Sequence, residues 1–255
     1  MADGITFVLV HGGASSSGFW DLLVPRLTSP FLAIDLPGRA GKSADPMTLT
    51  VDECAASVAD DVDAAGIGDC VLVAHSSGCY MVPGIAARLA PRVRHIVLTP
   101  PCVPPEGGLG LDAMKLSYAR RNRENMDRVR REGRVFLTPG PPADPEVLRR
   151  AYGVDLTDEQ LAFVAAPERN PKDSVNIYFQ PVYWSAAATI PVTAIRQLRD
   201  PVTPLELQDE MIARLPTPEL VTVVDLDTGH IPAITDVDAV AAILAGVAES
   251  VSTSQ

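Results

Sequence analysis

Three residue types that together can cleave an acyl bond occur in one chain order, each at the end of an apolar run. They are Ser76 in VAHSSGC (73–79), Asp200 in RDP (199–201) and His230 in DTGH (227–230). A serine hydroxyl is a weak nucleophile at neutral pH, so it needs a base within hydrogen-bond reach, and the base needs an acceptor to orient it. A strand-to-helix turn that exposes such a hydroxyl requires small residues two before and two after it. Around Ser76 these are Ala74 and Gly78; around Ser77 they would be His75 and Cys79. Ser76 is therefore the predicted nucleophile, His230 the base and Asp200 the orienting acid. The developing oxyanion needs donors: the backbone N–H of Ser77 at the helix start, and that of Gly13 in HGG (11–13). Asp225 and Asp227 are weaker rivals to Asp200, lying on or beside the strand before His230.

Each of these residues also has a plainer role. Small-x-Ser-x-small arises by chance, and Asp200 before Pro201 could serve as a turn cap. His11 and His75 are expected to hydrogen-bond to backbone rather than to build a metal centre with His230. His95, beside Arg92 and Arg94, reads as a surface residue. Arg120, Arg121, Arg123, Arg128, Arg130, Arg131 and Arg134 alternate with Glu124, Asp127 and Glu132 at helical spacing. That pattern predicts a solvated ion-paired face, with a collar for a carboxylate-bearing substrate or a partner as the functional alternative.

The elements that must position these groups are short apolar runs: 5–10, 31–36, 70–75, 94–99, 192–198 and 220–226. Helical patterns over 52–65, 77–90, 204–215 and 236–251 separate or follow them. Strands apolar on nearly every residue and alternating with helices belong to a parallel sheet covered on both faces, hence an α/β fold. Ligands of such sheets bind beyond the carboxyl ends of the strands, where the candidate residues lie. The stretch 103–188 breaks the rhythm with Pro, Gly and Arg and helices near 111–131, 145–152 and 158–166. It is expected to be a cap inserted in one domain whose core is 1–102 and 189–255.

The chain of 255 residues is 47% hydrophobic and carries a net charge of −11. An acidic surface repels nucleic acid and anionic membranes, so neither is an expected partner. No apolar run spans a membrane and the first residues lack the pattern of a signal peptide, so the expected location is cytoplasmic. Cys54, Cys70, Cys79 and Cys102 form no CxxC pair and read as buried reduced thiols.

The stretches FVLVHGGASSSGFW, AIDLPGRAGKS, VLVAHSSGCY, VPPEGG and RDPVTPLELQDEMIARLP, with VVDLDTGHIP, resemble an α/β-hydrolase over nearly the whole chain. They are similar to bacterial hydrolases related to plant methyl esterases and hydroxynitrile lyases. The resemblance implies a six-stranded, mainly parallel sheet and a small helical cap. It also implies Ser76, Asp200 and His230 as a triad, Gly13 and Ser77 as oxyanion donors, and no cofactor or metal. Two features depart from that pattern. Ile231 and Gly12 stand where the cyanide-releasing members carry Lys and Thr, which disfavours lyase chemistry. The loop 37–43 is one residue longer than the common PGHGxS form.

The expected activity is hydrolysis of a small hydrophobic carboxylic ester, lactone or thioester through an acyl-enzyme. Met114, Leu116, Tyr118, Tyr178, Phe179, Tyr183 and Trp184 are candidates for an apolar pocket, with core packing as their alternative. A related C–C lyase, a non-catalytic ligand-binding protein and a cofactor-free oxygenase are the rival readings. Oligomeric state is open, a homodimer being one arrangement.

Overall fold

The computed structural model describes residues 4–39, 41–132, 144–153, 156–166, 169 and 176–253. Arg134 and residue 40 of the loop 37–43 lie outside them. Six parallel strands form one sheet in the order β2-β1-β3-β4-β5-β6. They are β1 (Thr6–Val10), β2 (Phe31–Ile34), β3 (Cys70–Ala74), β4 (Val93–Leu98), β5 (Val192–Gln197) and β6 (Val221–Leu226). Each lies within a residue or two of its predicted run.

Every residue of β3 is buried, as a central strand flanked by layers on both faces requires. Alternate side chains serve the two layers. Val8, Val10, Leu72 and Ala74 pack toward α1 (Val51–Ala64) and α2 (Val82–Leu89). Phe7, Leu9, Val71 and Val73 pack toward Trp20 and the C-terminal helix. Each such fully buried aliphatic side chain contributes about 1.5–3 kcal/mol. The edge strands β2 and β6 are more exposed than their apolar sequences suggest, since one flank has no neighbouring strand. Cys54, Cys70, Cys79 and Cys102 are buried and form no disulfide.

The predicted helix at 77–90 is divided. A 3-10 turn covers Ser76–Tyr80, and α2 begins at Val82 with Pro83 in its first turn, where a missing N–H costs nothing. α1 opens with a capping box: Glu53 N–H donates to Thr50 Oγ1 and Thr50 N–H to Glu53 Oε2.

Between β4 and β5 lie α3 (Leu116–Glu132), α4 (Pro145–Tyr152) and α5 (Asp158–Ala165), close to the expected cap helices. Apart from an isolated bridge between Leu109 and Pro181, this segment adds no strand among the described residues. After β5 come α6 (Leu205–Ile212), α7 (Pro232–Thr235) and α8 (Val237–Thr253). No helix of the described residues is long and apolar enough to cross a membrane.

The arginines of α3 do not form the expected ion-paired ladder. Among the described residues Glu124, Asp127 and Glu132 pair with none of them. Arg128 donates to Asn125 and Arg123 reaches Asp112, because those acceptors lie nearer than the acids along the helix. His95 is not a free surface residue either: it is half-buried, its Nε2 is 2.9 Å from Thr193 Oγ1, and burial pushes its pKa down to about 4.

Candidate active site

At the end of β3 the chain turns through Ser76, whose φ of +50° lies in the left-handed region. A side chain there costs about 1–2 kcal/mol, so the surroundings must hold it. His75 N–H donates to Val10 O at 3.0 Å and Gly78 N–H to His75 O at 2.9 Å. A Cβ at Gly78 would lie 2.5 Å from His11 O and 3.0 Å from Val10 O. The small residue two beyond Ser76 is thus required because the turn presses on the end of β1.

β5 and β6 pair with Gln197 opposite Leu226, so the loops after them emerge side by side. The bond from Arg199 N–H to Thr228 O, 3.1 Å, ties them together. His230 Nδ1 and Asp200 Oδ2 are 2.7 Å apart, and the Asp200 carboxylate is fully buried. Its other oxygen accepts the N–H groups of Val202 at 2.7 Å and Thr203 at 3.0 Å, which fixes the carboxylate plane. Asp225 and Asp227 are committed elsewhere, to Arg196 and Arg199.

Ser76 and His230 form two walls of one small cavity of about 70 Å³, although among the described residues no hydrogen bond joins them. A larger cavity of about 620 Å³ also opens on Ser76, with Gly13 and Ser77 in its wall. The N–H groups of Gly13 and Ser77 have no hydrogen-bond partner among the described residues, which leaves both donors to a ligand. Ala14 beside Gly13 has φ of +49°, so this loop too is held in a strained conformation facing both cavities.

Both other histidines near the site bind backbone. Leu36 N–H donates to His11 Nε2 at 3.3 Å, leaving the Nδ1 proton for Gly12 O at 2.7 Å. His75 Nε2 lies 3.0 Å from His230 O, and its ring packs on Phe19. Burial pushes the His75 pKa well below the usual histidine value. It is a neutral brace for the His230 loop. No group of three or more potential metal ligands forms among the described residues.

Of the aromatic and apolar candidates, Met114, Tyr118 and Tyr178 line the larger cavity. Leu116 and Tyr183 are exposed instead, while Phe179 and Trp184 pack into the core. Helical phase explains Leu116: α3 turns Tyr118 and Asn122 inward and leaves Leu116 on the opposite side.

Three positions carry more weight than sequence reasoning assigned. Gln208, fully buried on α6, donates to Gln197 O and Thr203 O and accepts from Gln197 N–H, clasping both sides of the Asp200 loop. The available signal was a glutamine in phase with Met211 and Leu215 on the apolar face. Arg39 is buried in the lengthened loop and donates to Ser15 O, bracing the Gly13 loop. Tyr152, at the end of α4, lines both cavities, and its carbonyl receives the N–H of His230.

The model of the alpha/beta hydrolase family matches residues 7–243. N-formylmaleamate deformylase of Pseudomonas putida is 29% identical over 165 residues, 64% of this chain and 56% of that protein. An extracellular alpha/beta-hydrolase from a Paenibacillus species, described as sharing structural and functional homology with tobacco salicylic acid binding protein 2, superposes with a TM-score of 0.79. It is 17% identical, with 96% of this chain and 99% of that chain covered. A pyrethroid hydrolase from Sphingobium faniae gives a TM-score of 0.76 at 22% identity, covering 96% and 97%. At these identities the two structures speak for the fold.

Proposed function

Because the chain belongs to the alpha/beta hydrolase family, we propose that it is a serine hydrolase that cleaves a carboxylic ester through an acyl-enzyme. Lactones and thioesters fall within the same chemistry. The observation that carries this reading is the buried 2.7 Å pairing of His230 with Asp200 beside the strained Ser76 turn. A fully buried carboxylate and two backbone donors fix the acid, so the acid can hold the imidazole with Nδ1 protonated and Nε2 free to accept.

In this mechanism Ser76 Oγ attacks the acyl carbon as His230 Nε2 takes its proton. The N–H groups of Gly13 and Ser77 stabilise the oxyanion, and His230 returns the proton to the leaving alcohol. Water then repeats the sequence on the acyl-enzyme and releases the acid. The two cavities that meet at Ser76 separate the acyl and alcohol portions, the small one admitting only a compact group.

Cleavage of an N-formyl amide is the second reading, favoured by the deformylase name of the Pseudomonas putida relative; the same serine would attack the formyl carbon. Lyase chemistry is disfavoured by the packing of the two departing positions. Ile231 is buried, and a Cβ at Gly12 would meet His75 Nδ1 at 2.7 Å, so a threonine there needs rearrangement.

The test is a panel of esters and N-formyl amides of varied size, with a fluorophosphonate probe mapped by mass spectrometry. The expected result is ester turnover with label on Ser76, and a loss of about three orders of magnitude or more in Ser76→Ala. An intact protein that neither turns over the panel nor takes the label overturns the proposal.

A further inference from the structure

The larger cavity carries charge of the opposite sign to the protein. The chain has 32 Asp and Glu against 21 Lys and Arg, yet Lys115, Arg121 and Arg150 line this cavity and, among the described residues, no carboxylate does. Like charges around one mouth repel one another, and a concave apolar wall concentrates their field.

Two neighbouring cations reach carboxylates. Arg149, next to Arg150, pairs with Asp158 at 2.8 Å, and Arg123 reaches Asp112 at 3.6 Å. Lys115, Arg121 and Arg150 have no carboxylate partner among the described residues. The Arg121 guanidinium lies over the Tyr118 ring, 5.1 Å from its centre, and Tyr118 itself lines the cavity. Stacking restrains the group while leaving its charge and its in-plane donors available.

A second observation lies further in. Asn122 is 6% exposed and lines the same cavity, and among the described residues the one hydrogen bond of its side chain is from Nδ2 to the thioether sulfur of Met114 at 3.4 Å. Sulfur is a weak acceptor, so a buried amide with several donor and acceptor sites is left almost uncommitted. Its oxygen is open to the cavity rather than sealed in the core.

We infer that this cavity selects substrates whose far end carries a carboxylate, held by Arg121, Arg150 and Lys115, with Asn122 contributing a hydrogen bond. Met114 and Val147 flank the apolar part of the chain between that end and Ser76. The inference names the substrate class for the proposed serine hydrolase and rests on that reading for the reacting end alone.

The experiment compares monomethyl adipate with methyl heptanoate, similar in length and different in terminal charge. The hemiester is expected to have the higher kcat/KM by about tenfold at low ionic strength, a gap that added salt narrows. Arg121→Gln and Arg150→Gln each lower that ratio about three- to tenfold through KM. Arg130→Gln, exposed on α3 and outside the cavity wall, leaves the ratio unchanged. Equal rates for the two esters, or a ratio untouched in both cavity variants, overturns the inference. If neither ester is cleaved, calorimetric titration of Ser76→Ala with monomethyl adipate decides separately. Binding that Arg121→Gln weakens keeps the carboxylate site although the hydrolase reading fails, and no binding removes the site.

Discussion

The backbone N–H of His230 donates to the carbonyl oxygen of Tyr152 across 2.7 Å, joining the loop of the candidate base to the last turn of α4. The rings of the two residues stack as well, 6.3 Å apart and 17° from parallel. The approach is possible because Gly229 faces Gly153: a Cβ on Gly229 would run into Tyr152 O and lie 3.0 Å from Gly153 Cα. α4 is thus bonded directly to the residue proposed to accept the serine proton.

Gly229→Ala should therefore damage catalysis more than folding. The added methyl group forces either His230 or the end of α4 to move, and a displacement of this kind costs about 10²-fold in rate. Ester kcat measured beside the melting temperature checks this; a kcat equal to wild type would show that the contact does not position His230.

Asp200→Asn separates orientation from packing. The amide oxygen can still accept the N–H groups of Val202 and Thr203, so the loop should keep its shape. The amide N–H then faces His230 Nδ1 and drives the imidazole proton to Nε2, where it blocks acceptance from Ser76. The expected loss in kcat is about 10⁴-fold with circular dichroism unchanged. A loss below about tenfold would remove Asp200 from the role proposed for it.

How much of this was legible before the fold depended on the kind of signal. Strand runs such as CVLVA announce themselves because a doubly covered parallel strand is apolar on every residue. Ala74 and Gly78 marked Ser76, and at Gly78 the turn leaves no room for a side chain. Convergence was harder: the sequence placed Asp200 and His230 each after a strand, and only the β5–β6 register makes those ends adjacent. Residues acting through backbone carbonyls, such as Tyr152 and Gln208, leave almost no trace in composition. The α3 arginines misled because interleaved charge predicts pairing only when side chains choose one another over nearer acceptors such as Asn125.

Gln208→Leu tests the clasp on the Asp200 loop. It leaves the Gln197 N–H and Thr203 O without the partners they have now, and Gln197 O with only the Asp200 N–H at 3.4 Å, all in a buried region. Unmet buried polar groups cost about 1–3 kcal/mol each, and relaxation recovers part of it, so a loss of about 2–4 kcal/mol is expected in urea unfolding. Activity at a temperature where the variant is fully folded should fall as well, because the carboxylate is no longer fixed. Unchanged stability would mean that Gln208 contributes no net bonding.

Stability should fall on acidification through a route that involves two histidines outside the proposed triad. Burial holds His75 well below the ordinary histidine value and His95 at about 4. Below about pH 6.5 the unfolded chain therefore binds protons at both residues that the folded chain refuses. Stability is fully present above that pH and declines as pH falls toward the folded values, by at most about 1.4 kcal/mol per pH unit for each histidine. His95→Gln keeps a side chain able to reach Thr193 and removes one of the two titrations. Urea unfolding at pH 7, 6 and 5 should accordingly show a shallower decline for the variant than for wild type, by about 1 kcal/mol per unit near pH 5. Parallel declines would mean that His95 is already protonated in the fold, contrary to its buried setting beside Thr193.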